Sequence, residues 1–392
     1  MPSLLMLSPA PILETAGGDV VLDVKFVEGM KLHCQLWPGP VRCVMWRGEH
    51  TVDDPMRYSP NQLGFELIVL DSGTPVPELL LDESSLVYCA ADDMKHLDLP
   101  DAMLGRFGKL VYTVEQALSG RMASGFAQHA KVRRRIGSAV YNLRNERRLK
   151  RALADADGLH FNGYPAQRAY GHLSDHTLHY LDNRIRTPML ARSSDQETRA
   201  EYLRSGAPLR LAWFGVMTPE SRVLDFLPVA HLLQLRGVTA EFDLFGTGPD
   251  EGRLRDGISA LGLSQSVRVH EPQGFDARLV PHLRQNADVF LSARRLPTPL
   301  SAYVEALGCG LPILGAKNAM TKRLVANSGA GWLVGKRSTA GIVRAIAHLD
   351  QDREAIISAS AKAVEFARAN SFETVFARRM NDLRELANVE QP

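Results

Sequence analysis

The stretch Arg294-Arg295-Leu296-Pro297-Thr298-Pro299-Leu300-Ser301-Ala302-Tyr303-Val304-Glu305-Ala306-Leu307-Gly308-Cys309-Gly310-Leu311-Pro312-Ile313-Leu314-Gly315 decides the fold. Before it, Ala287-Asp288-Val289-Phe290-Leu291-Ser292 has the β-branched and aromatic content of a buried strand. Pro297 and Pro299 break the chain into a loop, and Ser301 is the expected cap of a helix that Gly308 and Gly310 stop. Leu311 to Gly315 reads as the next strand. Strand, loop, helix and strand in this order describe an α/β unit with a parallel sheet.

A helix entered from such a loop turns its free N–H groups and the positive end of its dipole toward the loop, where an anion binds. Glu305, one turn in, is placed to accept hydrogen bonds from hydroxyls of the same ligand. Phosphate and hydroxyl together point to a nucleotide or a nucleotide sugar.

Glu305-Ala306-Leu307-Gly308-Cys309-Gly310-Leu311-Pro312-Ile313 resembles the end of the Glu-x7-Glu signature of retaining, family-4-like glycosyltransferases of the GT-B fold (glycosyl transferases group 1). The resemblance runs from Leu209 to about Leu386. It implies two Rossmann-like α/β domains facing a cleft, with the C-terminal helix crossing back to the first domain. On that plan residues 1–182 form the acceptor domain, 183–207 a linker, 208–371 the nucleotide-sugar domain and 372–392 the returning helix. The implied substrate is a UDP- or GDP-sugar, with no cofactor and no metal.

The composition suits this plan. A chain of 392 residues divides into two domains. Its 45% hydrophobic and 23% charged content is that of a soluble globular protein, and a formal charge of +2 excludes a global preference for polyanions. No apolar run has the length of a membrane span, and Met1 to Leu7 is too short and uncharged for a signal peptide. Cys34, Cys43, Cys89 and Cys309 lack ligand spacing and fit a reducing cytoplasm.

In the first half, a strand at Ser3–Leu7 is followed by Gly17-Gly18-Asp19 and an expected helix from Val20 to about Gln35. Paired glycines there either let backbone approach a phosphate or merely turn the chain. The resemblance implies that Gly17 and Gly18 touch the donor diphosphate. Further strands are expected at Val41–Trp46, Phe65–Leu70, Leu86–Ala90, Lys109–Thr113 and Leu159–Gly163. From Lys131 to Arg151 the only acid is Glu146, among Arg133, Arg134, Arg135, Arg144, Arg147, Arg148 and Lys150, with Val132, Ile136, Val140 and Leu143 at helical spacing. Such a helix suits an anionic membrane surface, or packs on a core with a solvated basic face. The absence of aromatic interleaving argues against nucleic acid. His172, His176 and His179 would share one side of a helix, but Gly171, Ser174 and Asp175 disfavour a helix and hence a metal site there.

In the second half, Gly215 ends a strand at Leu209–Phe214, and a helix is expected near Arg222 to Leu224. The family carries an Arg just after this glycine and a Lys some five residues on. Here Val216 and Ser221 stand at those positions, and Arg222 is the nearest cation. Gly246 and Gly248 follow the strand Ala240–Phe245 in a Gly-x-Gly-Pro turn, which serves either a close-lying ligand or a tight turn. The resemblance implies that His270, Glu271 and Pro272 lie beside the nucleobase and that Leu300, Ser301 and Ala302 bind the donor phosphate. The first Glu of the signature is replaced by Pro297. Retaining transfer on this fold is thought to use the donor phosphate as base, so it needs stabilisation of the leaving diphosphate more than a carboxylate. Glu305, Arg222 and Arg294, with Arg295 beside it, are the candidate catalytic groups.

The expected activity is transfer of a sugar to a glycan or a polyprenyl-diphosphate-linked acceptor in bacterial surface polysaccharide synthesis, in the cytoplasm or peripherally at the inner membrane face. A catalytically inactive relative binding a nucleotide or a partner protein, and a sugar-nucleotide epimerase, are the alternatives.

Overall fold

The computed structural model describes residues 1–15, 17–48, 55–92, 94–128, 131–335 and 338–389. The chain forms two compact units, one of Met1–Arg121, Ile136–Tyr180 and Glu373–Pro392, the other of Met122–Arg135 and Leu181–Phe372.

The first unit holds β1 (Leu4–Leu7), β2 (Leu13–Glu14), β3 (Val20–Asp23), β4 (Val41–Trp46), β5 (Pro55–Tyr58), β6 (Glu66–Leu70), β7 (Leu86–Ala90), β8 (Lys109–Val114), β9 (Gly158–Asn162) and β10 (Thr177–Tyr180). Seven of these make a parallel sheet in the order β10-β9-β8-β7-β1-β4-β6. Its central strands are mostly apolar because both faces are covered. Alternate residues serve opposite cores: Leu5, Val87, Cys89 and Tyr112 pack with Leu149 and Leu153 on one face. Leu4, Leu86, Tyr88 and Val111 pack with Val27, Met30, Met380 and Leu383 on the other. Met380 and Leu383 belong to the C-terminal helix Phe372–Leu386, and each fully buried side chain of this kind contributes about 1.5–3 kcal/mol. Gly29 makes room for that helix, since a Cβ there would lie 2.9 Å from the Phe376 ring.

A buried polar chain fixes the same helix. Arg379 donates to the Tyr88 hydroxyl at 2.8 Å, which lies 3.0 Å from His160 Nδ1. His160 and His176 both reach Asp382 Oδ2, at 2.8 and 3.0 Å. Burial raises the Asp382 carboxyl, but the two histidine bonds outweigh this and leave it below its ordinary value. The histidine trio is therefore divided: His176 serves Asp382, His179 stacks on Tyr164, and no group of three metal ligands occurs among the described residues.

Three expectations are corrected here. Val20–Asp23 is not the start of a helix but a strand, paired antiparallel with β2 and β5. The helix begins at Val24, where Asp23 caps it by accepting from Phe26 N. Gly17 and Gly18 consequently lie in a hairpin turn, with Gly18 N bonded to Thr15 O at 2.9 Å and φ +82°, rather than at a helix start. On the helix Val132–Ala154 the expected apolar stripe is exposed: Val132 by 67%, Ile136 by 58% and Leu143 by 55%. The core side is made further along, by Leu149, Ala152 and Leu153. Glu146 is buried there, accepting from Arg121 and from the Tyr170 hydroxyl, which accounts for the single acid in the run.

The second unit carries β11 (Leu209–Phe214), β12 (Ala240–Phe245), β13 (Val267–His270), β14 (Val289–Ser292), β15 (Ile313–Ala316) and β16 (Gly331–Val334). They form one parallel sheet in the order β13-β12-β11-β14-β15-β16. The order reverses between β11 and β14, and in open α/β sheets the crevice at the carboxyl ends of such a pair is where ligands bind. Residues 183–207 are not a linker. They belong to this unit and contain the helix Ser193–Arg204.

Candidate active site

Gly215, Gly246 and Gly248 follow β11 and β12 with φ of +145°, +137° and +152°. Their freedom is used to lay one loop on another. A Cβ on Gly246 would fall 1.9 Å from Gly215 O, and one on Gly248 2.6 Å from Met217 O. Met217 N bonds Thr247 O at 2.8 Å, so the two loops form one layer at the edge of the sheet.

Val216, where the family has its arginine, is 53% exposed, and Ser221 is turned inward to donate to Thr218 O at 2.7 Å. The expected helix is delayed. Arg222 adopts φ +59° ahead of a short 3-10 turn, Val223–Asp225, and the helix proper is Phe226–Leu235. The Arg222 guanidinium forks onto both Asp225 oxygens at 2.7 Å, and Arg295 reaches the same carboxylate at 3.0 Å. Arg294 bonds Thr298 Oγ1 at 3.0 Å and lies 3.5 Å from Glu220, whose Oε1 is buried without a hydrogen-bond partner. Arg222 and Arg295 thus share one acid and Arg294 faces another beside the glycine loops.

The helix Ser301–Gly308 starts at its expected cap residue, because Leu300 takes the cap position and makes no side-chain bond. The first-turn N–H groups of Ser301 and Ala302 therefore have no side-chain cap. Ser292 Oγ and the fully buried Tyr303 hydroxyl lie 3.1 Å apart, joining the end of β14 to this helix. Glu305 is 1% exposed. Its Oε1 accepts from Arg184 N at 3.0 Å and Arg184 Nε at 3.3 Å, and its Oε2 has no partner among the described residues. A buried carboxylate with one oxygen unengaged is an acceptor for donors from outside the protein.

Arg184 was not among the residues singled out in the sequence, because its partner stands 121 positions away. Asn183 fixes the turn that presents it, accepting from Ile185 N and donating to Leu181 O and Asn370 O, all at 2.9 Å. Ile185 then packs on Gly308, where a Cβ would come within 2.6 Å of it. Arg199, also unforeseen, is 2% exposed and donates to Ala287 O, Arg284 O, Cys309 O, Gly310 O and Ser360 Oγ at 2.8–3.2 Å. It fastens the Gly308-Cys309-Gly310 turn to the rest of the unit.

His270 ends β13, and its side chain is held within the unit. Its Nε2 bonds Asp243 Oδ1 at 2.6 Å and its ring stacks on Phe245 at 4.4 Å. Burial raises Asp243, but the bonds from His270 and Arg268, with His282 nearby at 3.8 Å, outweigh it and hold the carboxyl well below the usual range. The Glu271 side chain is 82% exposed, 3.6 Å from Arg255. Gly17 and Gly18 lie in the first unit. The second unit brings Gly215, Gly246, Gly248, Arg222, Arg294, Arg295 and the Glu305 helix to the carboxyl edge of its sheet.

Residues 194–368 match the family model for glycosyl transferases group 1. No curated protein matches the chain. Among solved structures, Anabaena Alr3699/HepE in complex with UDP is similar over 98% of this chain and 100% of its own, at 14% identity and a TM-score of 0.65. Sucrose-phosphate synthase from Thermosynechococcus elongatus is similar over 98% of both chains, at 15% identity and a TM-score of 0.65. WaaG, a glycosyltransferase involved in lipopolysaccharide biosynthesis, is similar over 96% of this chain and 98% of its own, at 11% identity and a TM-score of 0.58. At these identities the likeness speaks for the fold.

Proposed function

We propose, from the GT-B fold and from the match of residues 194–368 to the family model for glycosyl transferases group 1, that the second unit binds a UDP- or GDP-sugar and that the protein transfers the sugar, with retention, to a glycan or lipid-linked acceptor. The observation that carries this reading is Glu305, buried one turn into a helix whose first N–H groups are uncapped, with Oε2 unengaged. A ribose hydroxyl would complete that oxygen, and the uncapped turn would take a phosphate. The similar Anabaena protein was solved with UDP and with UDP-glucose, which supports a uridine nucleotide as the first candidate.

In this reading Arg222, Arg295 and Arg294 stabilise the departing diphosphate, for which they exchange Asp225 and Glu220. No step requires a metal. Calorimetric titration with UDP, GDP and their sugar conjugates tests the reading. Binding at micromolar strength, about −8 kcal/mol, that Glu305→Ala abolishes is the expected result. If no nucleotide binds, the two acids, Val216 and Pro297 together describe an inactive relative.

We further propose that the acceptor is a polyprenyl-diphosphate-linked glycan of bacterial surface polysaccharide synthesis, met at an anionic membrane surface. The support is the first half of the helix Val132–Ala154, where exposed Val132, Ile136, Val140 and Leu143 are flanked by arginines. Vesicles containing anionic lipid should sediment the protein, and Ile136→Asp should weaken this several-fold. Failure to sediment with either anionic or neutral vesicles would remove the membrane from the proposal, and equal sedimentation with both would remove the role of the anionic charge.

A further inference from the structure

We infer that Arg184 positions the Glu305 carboxylate for a ribose and thereby sets the preference of the site for a ribonucleotide over an analogue lacking the ribose hydroxyls. The inference rests on the donor-site reading above and adds to it a residue outside every motif of the sequence. The terminal torsion of a glutamate is broad and roughly two-fold, so a carboxylate that must present one oxygen in one direction needs its plane fixed from elsewhere. Glu305 is fixed from one side only. Both donors on Oε1, at 3.0 and 3.3 Å, come from Arg184, one from its backbone and one from its guanidinium.

The backbone donor is held by the Asn183 turn, whose side chain is 1% exposed and fully used. The guanidinium is held by Phe275, with its Cζ 4.2 Å from the ring centroid. Phe275 opens the helical turn Phe275–Leu279, directly after the loop that follows β13, where the resemblance puts the nucleobase. Arg184 therefore spans the carboxylate on one side and the base loop on the other. Its side chain is 34% exposed against 2% for Glu305, so it forms the outer wall of a pair whose inner member is the hydroxyl acceptor. A carboxylate deprived of the guanidinium keeps a single donor and regains freedom to rotate, and the ribose contact weakens with it.

The test compares UDP with 2′,3′-dideoxy-UDP by calorimetry on the full chain, or the guanosine pair if only GDP binds. The wild type should prefer the ribonucleotide by about tenfold or more, the strength of one or two hydrogen bonds to a charged group. Glu305→Gln and Arg184→Met should each reduce the preference to within about threefold, while Arg184→Lys, which keeps a donor for Oε1, should retain most of it. Phe275→Leu, which loosens the guanidinium without removing a donor, should give an intermediate preference and serves if Arg184→Met does not fold. A merely structural Arg184 would weaken both nucleotides alike and leave the ratio unchanged, and that result overturns the inference while the donor site stands. If Glu305→Gln keeps the full preference, Glu305 does not hold the ribose and the inference falls with its premise. If neither ribonucleotide binds the wild type, the donor-site reading itself has failed.

Discussion

Two polar stretches of the second unit, residues 181–205 and 215–225, look alike in composition and behave oppositely. In the first, the buried Arg199 meets partners that cannot leave, four backbone carbonyls and a serine, while the half-buried Arg184 is tied to Glu305 through its backbone as well as its guanidinium. In the second, Arg222 shares Asp225 with Arg295, and the three side chains remain 25–35% exposed. A guanidinium on carbonyls is part of the fold. One on a carboxylate at a rim can trade that carboxylate for a phosphate, because the same fork geometry fits both anions.

The largest effect should come from Arg199→Met. It strands carbonyls of the Gly308-Cys309-Gly310 turn in the interior, and a loss of about 3 kcal/mol or more is expected in chemical denaturation. A loss below about 1 kcal/mol would mean that water or relaxation replaces the arginine, and the contrast drawn above would disappear. Next is Val216→Arg, which returns a cation to the loop after β11 at a position already exposed. UDP should bind about tenfold tighter, roughly 1.4 kcal/mol. Unchanged affinity would move the diphosphate away from this loop. The smallest effect belongs to Arg204→Ala, on the same helix as Arg199, whose pair with Glu354 is more than half exposed on both sides. Its stability should change by less than about 1 kcal/mol. A cost comparable to that of Arg199 would show that position on this helix, rather than burial, decides.

Much of the fold was legible because parallel strands covered on both faces leave mostly apolar runs, as at Val41–Trp46, Leu86–Ala90 and Leu209–Phe214. The C-terminal helix was legible too, with its bounds at Phe372 and Leu386. What escaped were features fixed by distant partners. Val20–Asp23 has no turn residue separating it from the helix that follows, and its strand character comes from pairing with Pro55–Tyr58. The helix Ser193–Arg204 buries an arginine where an apolar residue is expected, so its periodicity is hidden. The helix Val132–Ala154 shows the converse, an apolar periodicity that stays largely exposed in its first half. In the candidate site, the glycines and Glu305 could be found from local spacing. Their electrostatic setting could not, since Asp225 joins Arg295 across 70 positions and Arg184 meets Glu305 across 121.

The packing of Met380 and Leu383 into the first unit has a consequence for how the chain is made. That unit leaves the ribosome first, yet one face of its sheet is only partly covered until the helix Phe372–Leu386 emerges, about 200 residues after Tyr180. At ordinary synthesis rates this is a delay of roughly 10–40 s, within which the contiguous second unit can complete its own core. The half of the molecule begun first is thus finished last, and a chain stopped short of Phe372 would carry a finished second unit on an unfinished first one.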